Sequence, residues 1–260
     1  MRRATILHIP HSATIIPDEH RHRILLSDDE LQTEILRMTD WFTDELFTSC
    51  DKEYASVRYP ISRIVLDPER FEDDDKEVMF SRGMGLIYTK TSDGRVLRAP
   101  PSEEERQSLI QQYYHPHHAS LLEAVETIYA NLPAALVIDC HSFPSRPLPY
   151  ETDQNTERPD ICIGTDDYHT PPWLADLATA LVVDAGFSVT VNRPFAGALV
   201  PAKHFNKDRA VCGIMLELNR KMYMDEETGS RRPGFNEVQG KVQSLLTSIN
   251  ESFLRRITAQ

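Results

Sequence analysis

Leu136-Val137-Ile138-Asp139-Cys140-His141-Ser142-Phe143 is a nearly unbroken apolar run that closes on a histidine, a serine and Pro144. A continuous rather than alternating run reads as a strand covered on both faces. Its polar end then falls where open α/β sheets gather ligands, beyond the carboxyl ends of their strands. Similar runs occur at Ala4–Pro10, Ser56–Asp67, Asp160–Gly164, Ser188–Phe195 and Cys212–Leu218. Helical patterns lie between them. Ser27-Asp28-Asp29-Glu30 is a capping box that opens a helix running to about Cys50. Pro101-Ser102-Glu103-Glu104-Glu105 opens another that reaches Asn131 across Pro116. A third begins at Pro171-Pro172-Trp173 and stops at Gly186, and the last runs from about Phe235 to Ile257. Strands interleaved with helices predict an α/β fold, a mixed sheet sandwiched between helices. With no internal repeat and no Gly/Ser linker, residues 1–260 read as one domain. Two polar stretches, Phe71–Gly94 with its acidic Glu72-Asp73-Asp74-Asp75 and Pro144–Pro159, read as functional loops.

Composition narrows the partners. Hydrophobic residues make up 40% and charged residues 26%, which is ordinary globular usage. Forty acidic against 28 basic side chains give a net charge of −12, so nucleic acid is disfavoured as a partner. No stretch approaches about 18 consecutive apolar residues, so no membrane span is expected. The first residues, Met1-Arg2-Arg3-Ala4-Thr5-Ile6-Leu7-His8, are too short an apolar stretch for a signal peptide. Cys50, Cys140, Cys162 and Cys212 form no CxxC pair, and the last three read as small buried apolar residues. The expectation is a reduced, cytoplasmic protein of unspecified oligomeric state.

The chemistry-bearing residues cluster at strand ends. His8-Ile9-Pro10-His11-Ser12 closes the first run, and His141 closes the run quoted above. Imidazole is the commonest metal ligand, and a catalytic zinc takes two such nitrogens, a carboxylate and an open position. Each histidine alone also fits a buried ring bonded to backbone. For the carboxylate, Asp40 and Asp44 lie one helical turn apart, roughly opposite the apolar stripe Leu31, Ile35, Met38, Phe42 and Leu46. That face reads as solvated, yet Leu36 and Phe47 flank both acids, which predicts a helix buried on two sides. Glu217, in Ile214-Met215-Leu216-Glu217-Leu218, is costly inside an apolar strand unless it is paired. It reads either as the partner of Arg220 or Arg63, or as a general base that activates metal-bound water. In Ser62-Arg63-Ile64-Val65-Leu66-Asp67-Pro68-Glu69-Arg70, the forks of Arg63 and Arg70 suit a substrate carboxylate or carbonyl, and Arg63 also suits a structural pair with Asp67. His115, His117 and His118 surround Pro116. They read as a second metal site or, in preference, as a helix break whose side chains line or brace the pocket. Asn192 and Phe195 are placed at the pocket mouth, and Arg220 is counted among the substrate-binding residues.

Read in order, the motifs resemble the N-formylglutamate amidohydrolase family along most of the chain. They are His-Ile-Pro-His-Ser at 8–12, Thr-Asp-Trp-Phe-Thr-Asp at 39–44 and Ser-Arg-Ile-Val-Leu-Asp-Pro-Glu-Arg at 62–70. Tyr-His-Pro-His-His at 114–118, Asp-Cys-His-Ser at 139–142, Asn-Arg-Pro-Phe-Ala-Gly at 192–197 and Leu-Glu-Leu-Asn-Arg at 216–220 follow. The resemblance implies a zinc-carboxypeptidase-like fold, similar also to the acylamino-acid desuccinylases, with one catalytic zinc ion. It makes His11 and His141 the metal histidines and puts the carboxylate ligand in the 39–44 segment, as Asp40 or, in preference, Asp44. It makes Glu217 the general base and Arg70 the arginine that closes an Asp-x-Asn-Arg motif. This chain departs at two places. Glu69 stands where asparagine is common, and His-Ser-Ala replaces His-Ser-Gly. An added negative charge beside a carboxylate-binding arginine weakens anion binding. The implied activity is hydrolysis of the amide of a small N-acyl, above all N-formyl, amino acid. The alternatives are a zinc carboxypeptidase and a non-catalytic small-ligand binder on the same fold.

Overall fold

Among the described residues, six strands form where the apolar runs predict them: β1 (Thr5–Ile9), β2 (Ala55–Arg58), β3 (Ala135–Phe143), β4 (Ile161–Gly164), β5 (Val189–Val191) and β6 (Val211–Asn219). The computed structural model describes residues 4–48 and 54–259. The strands make one sheet in the order β2-β1-β3-β6-β4-β5. All neighbours run parallel except β4 and β6, which are antiparallel, so the sheet is mixed. β3 and β6 are buried along their whole length, as the continuous apolar runs require.

Helices cover both faces. After a short helix α1 (Asp18–Arg21) come α2 (Asp28–Met38), α3 (Thr43–Leu46), α4 (Glu103–Leu109), α5 (His115–Tyr129), α6 (Pro172–Asp184) and α7 (Phe235–Thr258). Successive side chains of a strand point to opposite faces. Thr5 of β1 donates to Asn250 of α7, whereas His8 of the same strand meets His117 of α5. α7 and α5 therefore lie on opposite sides of the sheet. Among the described residues, no helix is long and apolar enough to cross a membrane.

Two expectations change in detail. The run 56–67 stops being a strand at Arg58, just before Pro60, and its remainder turns sharply to bury Ile64, Val65, Leu66 and Asp67. The helix expected from Ser27 to Cys50 keeps its capping box but ends at Met38. Thr39 is extended, the Asp40 amide donates to the His11 carbonyl, and Phe42 adopts a left-handed φ of 63° before α3 begins. Cys50 itself lies outside the described residues, while Cys140, Cys162 and Cys212 are buried free thiols. The helix across Pro116 does form, with a wide π turn at Ile110–Tyr114 that takes up the missing backbone donor.

Ile138 is fully buried in β3 and, by alternation, faces away from Asp139 and His141. Ile138→Ala should lower the unfolding free energy by about 2–5 kcal/mol in urea titrations, through the cavity it leaves. A loss below about 1 kcal/mol would contradict the packing described for this strand.

Candidate active site

Strand register assembles the first half of the site. His8 pairs with Asp139, and His141 pairs with Glu217. Asp139 and His141 are two residues apart, so all four side chains share the face on which His8 meets α5. His11 follows two residues after the end of β1. The rings of His11 and His141 lie 5.1 Å apart, centroid to centroid, and both are almost completely buried.

The turn at 62–70 supplies the second half, organised by Asp67. This fully buried carboxylate accepts from His11 Nε2 at 2.8 Å and from the Glu69 amide at 3.0 Å through one oxygen. Through the other it accepts from Arg63 Nη2 at 2.7 Å and from the Tyr88 hydroxyl. Burial would raise the Asp67 carboxyl, but Arg63 and His11 hold it well below the usual carboxylate range. The bond to Asp67 places an N–H on His11 Nε2, so in the neutral ring Nδ1 is bare. That nitrogen is buried with no hydrogen-bond partner, 3.6 Å from Asp40 Oδ2 and 3.7 Å from Glu69 Oε2.

Asp40 is 2% exposed and lies against both histidines, with Oδ2 also 3.1 Å from His141 Nδ1. Its other oxygen is fixed by Arg220 Nη2 at 3.0 Å. Burial opposes the Asp40 charge, but the two rings and Arg220 keep the carboxyl well below its ordinary range. The opposite holds for His141: burial alone would lower it, while Glu69, Asp139 and Asp40 hold it well above the usual histidine value. His11 is raised too, by Asp67 and Asp40 against burial and Arg63. The pocket thus draws positive charge onto its two histidines, a demand that a divalent cation also meets.

Glu217 is buried, and its Oε2 has no hydrogen-bond partner. Neither expected arginine pairs with it, because Arg220 is taken by Asp40 and Arg63 by Asp67. Burial pushes the Glu217 carboxyl up to about 8, with Asp40 and Glu69 adding to the rise against the pull of His141 and Arg220. A carboxyl in that range can take and return a proton near neutrality.

The remaining predicted residues divide. Asp44 is not brought to the histidines: the break at Thr39 ends the helix on which it shared a face with Asp40, and it faces Arg58 at 3.5 Å, 37% exposed. This corrects the preference for Asp44. Arg70 is partly exposed, 3.5 Å from Asp67 and 3.8 Å from Glu77, with a buried Nε that makes no hydrogen bond. Arg220 serves Asp40 and Ser142, which corrects its expected role in substrate binding. His115 pairs with Glu72 at the surface. His118 donates to the Pro68 carbonyl at 2.8 Å and so braces the turn that carries Glu69. Asn192 is exposed and bonds Thr165, away from the histidines. Phe195 packs on Phe143 with ring centroids 5.8 Å apart. Among the described residues, two groups are candidates to hold a metal: His11 with Glu69 and His141, and His8 with Glu69 and Asp139. The partnership of His8 and Asp139, and the part played by Glu69, were not assigned from sequence. Their signal lies in β1–β3 register and in the tight turn after Asp67.

The family model for N-formylglutamate amidohydrolase matches residues 3–224, and the chain belongs to that family. It is similar to the N-formylglutamate deformylase of Pseudomonas aeruginosa, 29% identical over 202 residues that cover 75% of this chain and 74% of the relative. A deformylase of the same name from Pseudomonas putida is 27% identical over 227 residues, covering 85% and 82%. Among solved structures, N-formylglutamate amidohydrolase from Ralstonia eutropha JMP134 aligns with a TM-score of 0.78 at 24% identity, covering 97% of this chain and 94% of that one. A gene product of Agrobacterium tumefaciens aligns at 0.64 and 19% identity, covering 95% and 91%. At these identities the structural likeness is one of fold.

His118 gives a test of how the turn is held. Burial pushes its ring down to about 4 from the ordinary 6.5. A histidine with a lowered folded value favours the neutral form, so the unfolded chain takes up protons first and stability falls as pH drops below the unfolded value. His118→Gln removes that penalty. Relative to wild type, the variant's urea midpoint should rise as pH falls from about 7 to about 5. A difference that does not change with pH would contradict a neutral, buried His118.

Proposed function

We propose that this member of the N-formylglutamate amidohydrolase family hydrolyses the amide of a small N-acyl amino acid, with N-formylglutamate as the leading substrate, and does so with a bound divalent metal, zinc by the nature of its donors. The observation that carries the reading is the bare, buried Nδ1 of His11 facing Asp40, which also touches His141, beside an unpartnered Glu217. An unpaired buried nitrogen is costly, and a cation removes the cost. His11 and His141 would hold the ion together with a carboxylate. Asp40 suits that place because it touches both rings and is oriented by Arg220. Glu69 lies within reach of the same donors. The bond from His11 Nε2 to Asp67 is the usual support for a metal-bound histidine. A bound ion supplies Lewis acidity, polarising the acyl carbonyl and acidifying water.

The chain's own residues supply the rest. Glu217 accepts a proton from water as the water oxygen bonds to the acyl carbon. It then delivers that proton to the amide nitrogen as the carbon–nitrogen bond breaks. A formyl substrate yields formate and the free amino acid. Arg70, partly exposed beside Asp67, suits a substrate carboxylate, while the buried bond to Asp67 holds Arg63.

Metal-loaded protein should release formate from N-formylglutamate faster than it releases acetate or succinate from the matching N-acetyl and N-succinyl amino acids. No hydrolysis of any of them would contradict the proposal. Glu217→Gln should keep its metal and lose roughly 10²–10⁴-fold in kcat. His141→Ala should lose metal and turnover together. Near-normal rates in either variant would remove that residue from its role. Arg70→Ala should raise KM for acidic substrates more than for neutral ones, and an equal change for both would detach Arg70 from carboxylate binding.

A further inference from the structure

We propose that His8, Glu69 and Asp139 form a second cation site, sharing Glu69 with the first, so that this chain carries a two-metal centre. The inference rests on the reading of His11 and His141 as a metal cradle and extends it.

Glu69 reaches in two directions. Oε2 lies 3.1 Å from His141 Nε2 and 3.7 Å from His11 Nδ1. Oε1 lies 3.6 Å from His8 Nδ1 and 3.2 Å from the same His141 nitrogen. That same nitrogen of His8 is 2.7 Å from Asp139 Oδ1, which is also 3.1 Å from His141 Nε2. In both sets, His11–Glu69–His141 and His8–Glu69–Asp139, one donor atom from each residue lies within 4.8 Å of the others. Glu69 belongs to both sets. Both oxygens touch His141 Nε2, and beyond it Oε2 leans to His11 while Oε1 leans to His8, so the carboxylate is placed where it can bridge the two sets.

Charge points the same way. Arg220 answers Asp40, and Arg63 answers Asp67. Among the described residues, the ion-pair partners of Glu69 and Asp139 are histidines alone: His8, His11 and His141 for Glu69, His8 and His141 for Asp139. Their side chains are only 16% and 3% exposed. Carboxylates so placed need positive charge close by, which protonated rings or a bound cation supply. The cradle's ion draws on His11 and His141, which leaves His8 Nδ1 and Asp139 Oδ1 to a second one.

The orientation of His8 fits a ligand. Its ring is fully buried, and its Nε2 lies 2.8 Å from His117 Nε2. With the proton on Nε2 and donated to His117, Nδ1 is bare and faces two carboxylate oxygens. That arrangement is repulsive until a cation enters. Metal-bound histidines commonly donate their second N–H in this way. His117 is itself held by the edge of the Tyr59 ring, 5.0 Å away. With the proton on Nδ1 instead, His8 simply bonds Asp139, and no ion is needed. Metal titration separates the two cases.

An asparagine at position 69 would offer one oxygen and no charge, so it would bridge poorly. Paired ions about 3.5–4 Å apart let an enzyme place positive charge on two sides of a reacting group.

The test uses the full chain, stripped with a chelator and reloaded with Zn²⁺, with bound metal per chain measured by mass spectrometry. Wild type should saturate at two ions and Glu69→Asn at one, with Tm checked to show that the variant folds. Saturation of wild type at one ion, or two ions retained in Glu69→Asn, would overturn the second site. One ion in wild type would leave the hydrolase reading standing, whereas none would remove both. Should Glu69→Asn fail to fold, wild type loaded with Mn²⁺ decides. An exchange-coupled paramagnetic spectrum is expected, and only isolated Mn²⁺ signals at saturation would overturn the proposal.

Discussion

The register of β3 between β1 and β6 is the constraint from which the site follows. It sets Asp139 beside His8 and Glu217 beside His141, all on the face that meets α5. A slip of one residue would turn each of these side chains to the other side of the sheet. What forbids the slip is apolar. Ile138 and Cys140 alternate with the polar residues of β3 and are fully buried. Exchanging the two sets would drive Asp139 and His141 into hydrocarbon without partners. The core on one face of the sheet therefore holds the chemistry on the other in place.

The second organising element is Asp67. A tight turn brings it under His11, where it receives the ring, Arg63, Tyr88 and the Glu69 amide together. It sets which His11 nitrogen is bare, and it fixes the backbone from which Glu69 reaches the histidines. His118 and Tyr114 of the helical segment across Pro116 hold the same turn from outside through the Pro68 and Arg70 carbonyls. The fixed cations are spent on Asp40 and Asp67, so the histidines are left facing Glu69 and Asp139.

Much of this was legible in the chain. Continuous apolar runs located β1, β3, β4 and β6, whose burial on both faces writes itself directly into composition, while β2 and β5 are shorter and partly exposed. His11 and His141 stood out because they follow such runs, and Glu217 because an acid is rare inside one. Asp40 and Asp44 were not separable, because the helical wheel assumed a helix that a tertiary bond, from the Asp40 amide to the His11 carbonyl, interrupts. Arg220 was misread for a related reason: its partner Asp40 lies 180 residues away. His8 was visible at its strand end, but its tie to Asp139 exists only once β1 and β3 are paired. Glu69 showed as a departure from the family pattern, while its contact with three histidines depended on a turn that no local signal specified.

The central claim is that His11, His141 and an acid from the break after α2 converge on one metal beside Glu217. Anomalous diffraction at the zinc edge from crystals of the Zn²⁺-loaded protein tests it most directly. The account predicts a strong peak within bonding distance of His11 Nδ1 and a nitrogen of His141, with the Glu217 carboxyl close by. An anomalous map with no peak between those two rings, or with zinc bound elsewhere on the surface alone, would contradict it.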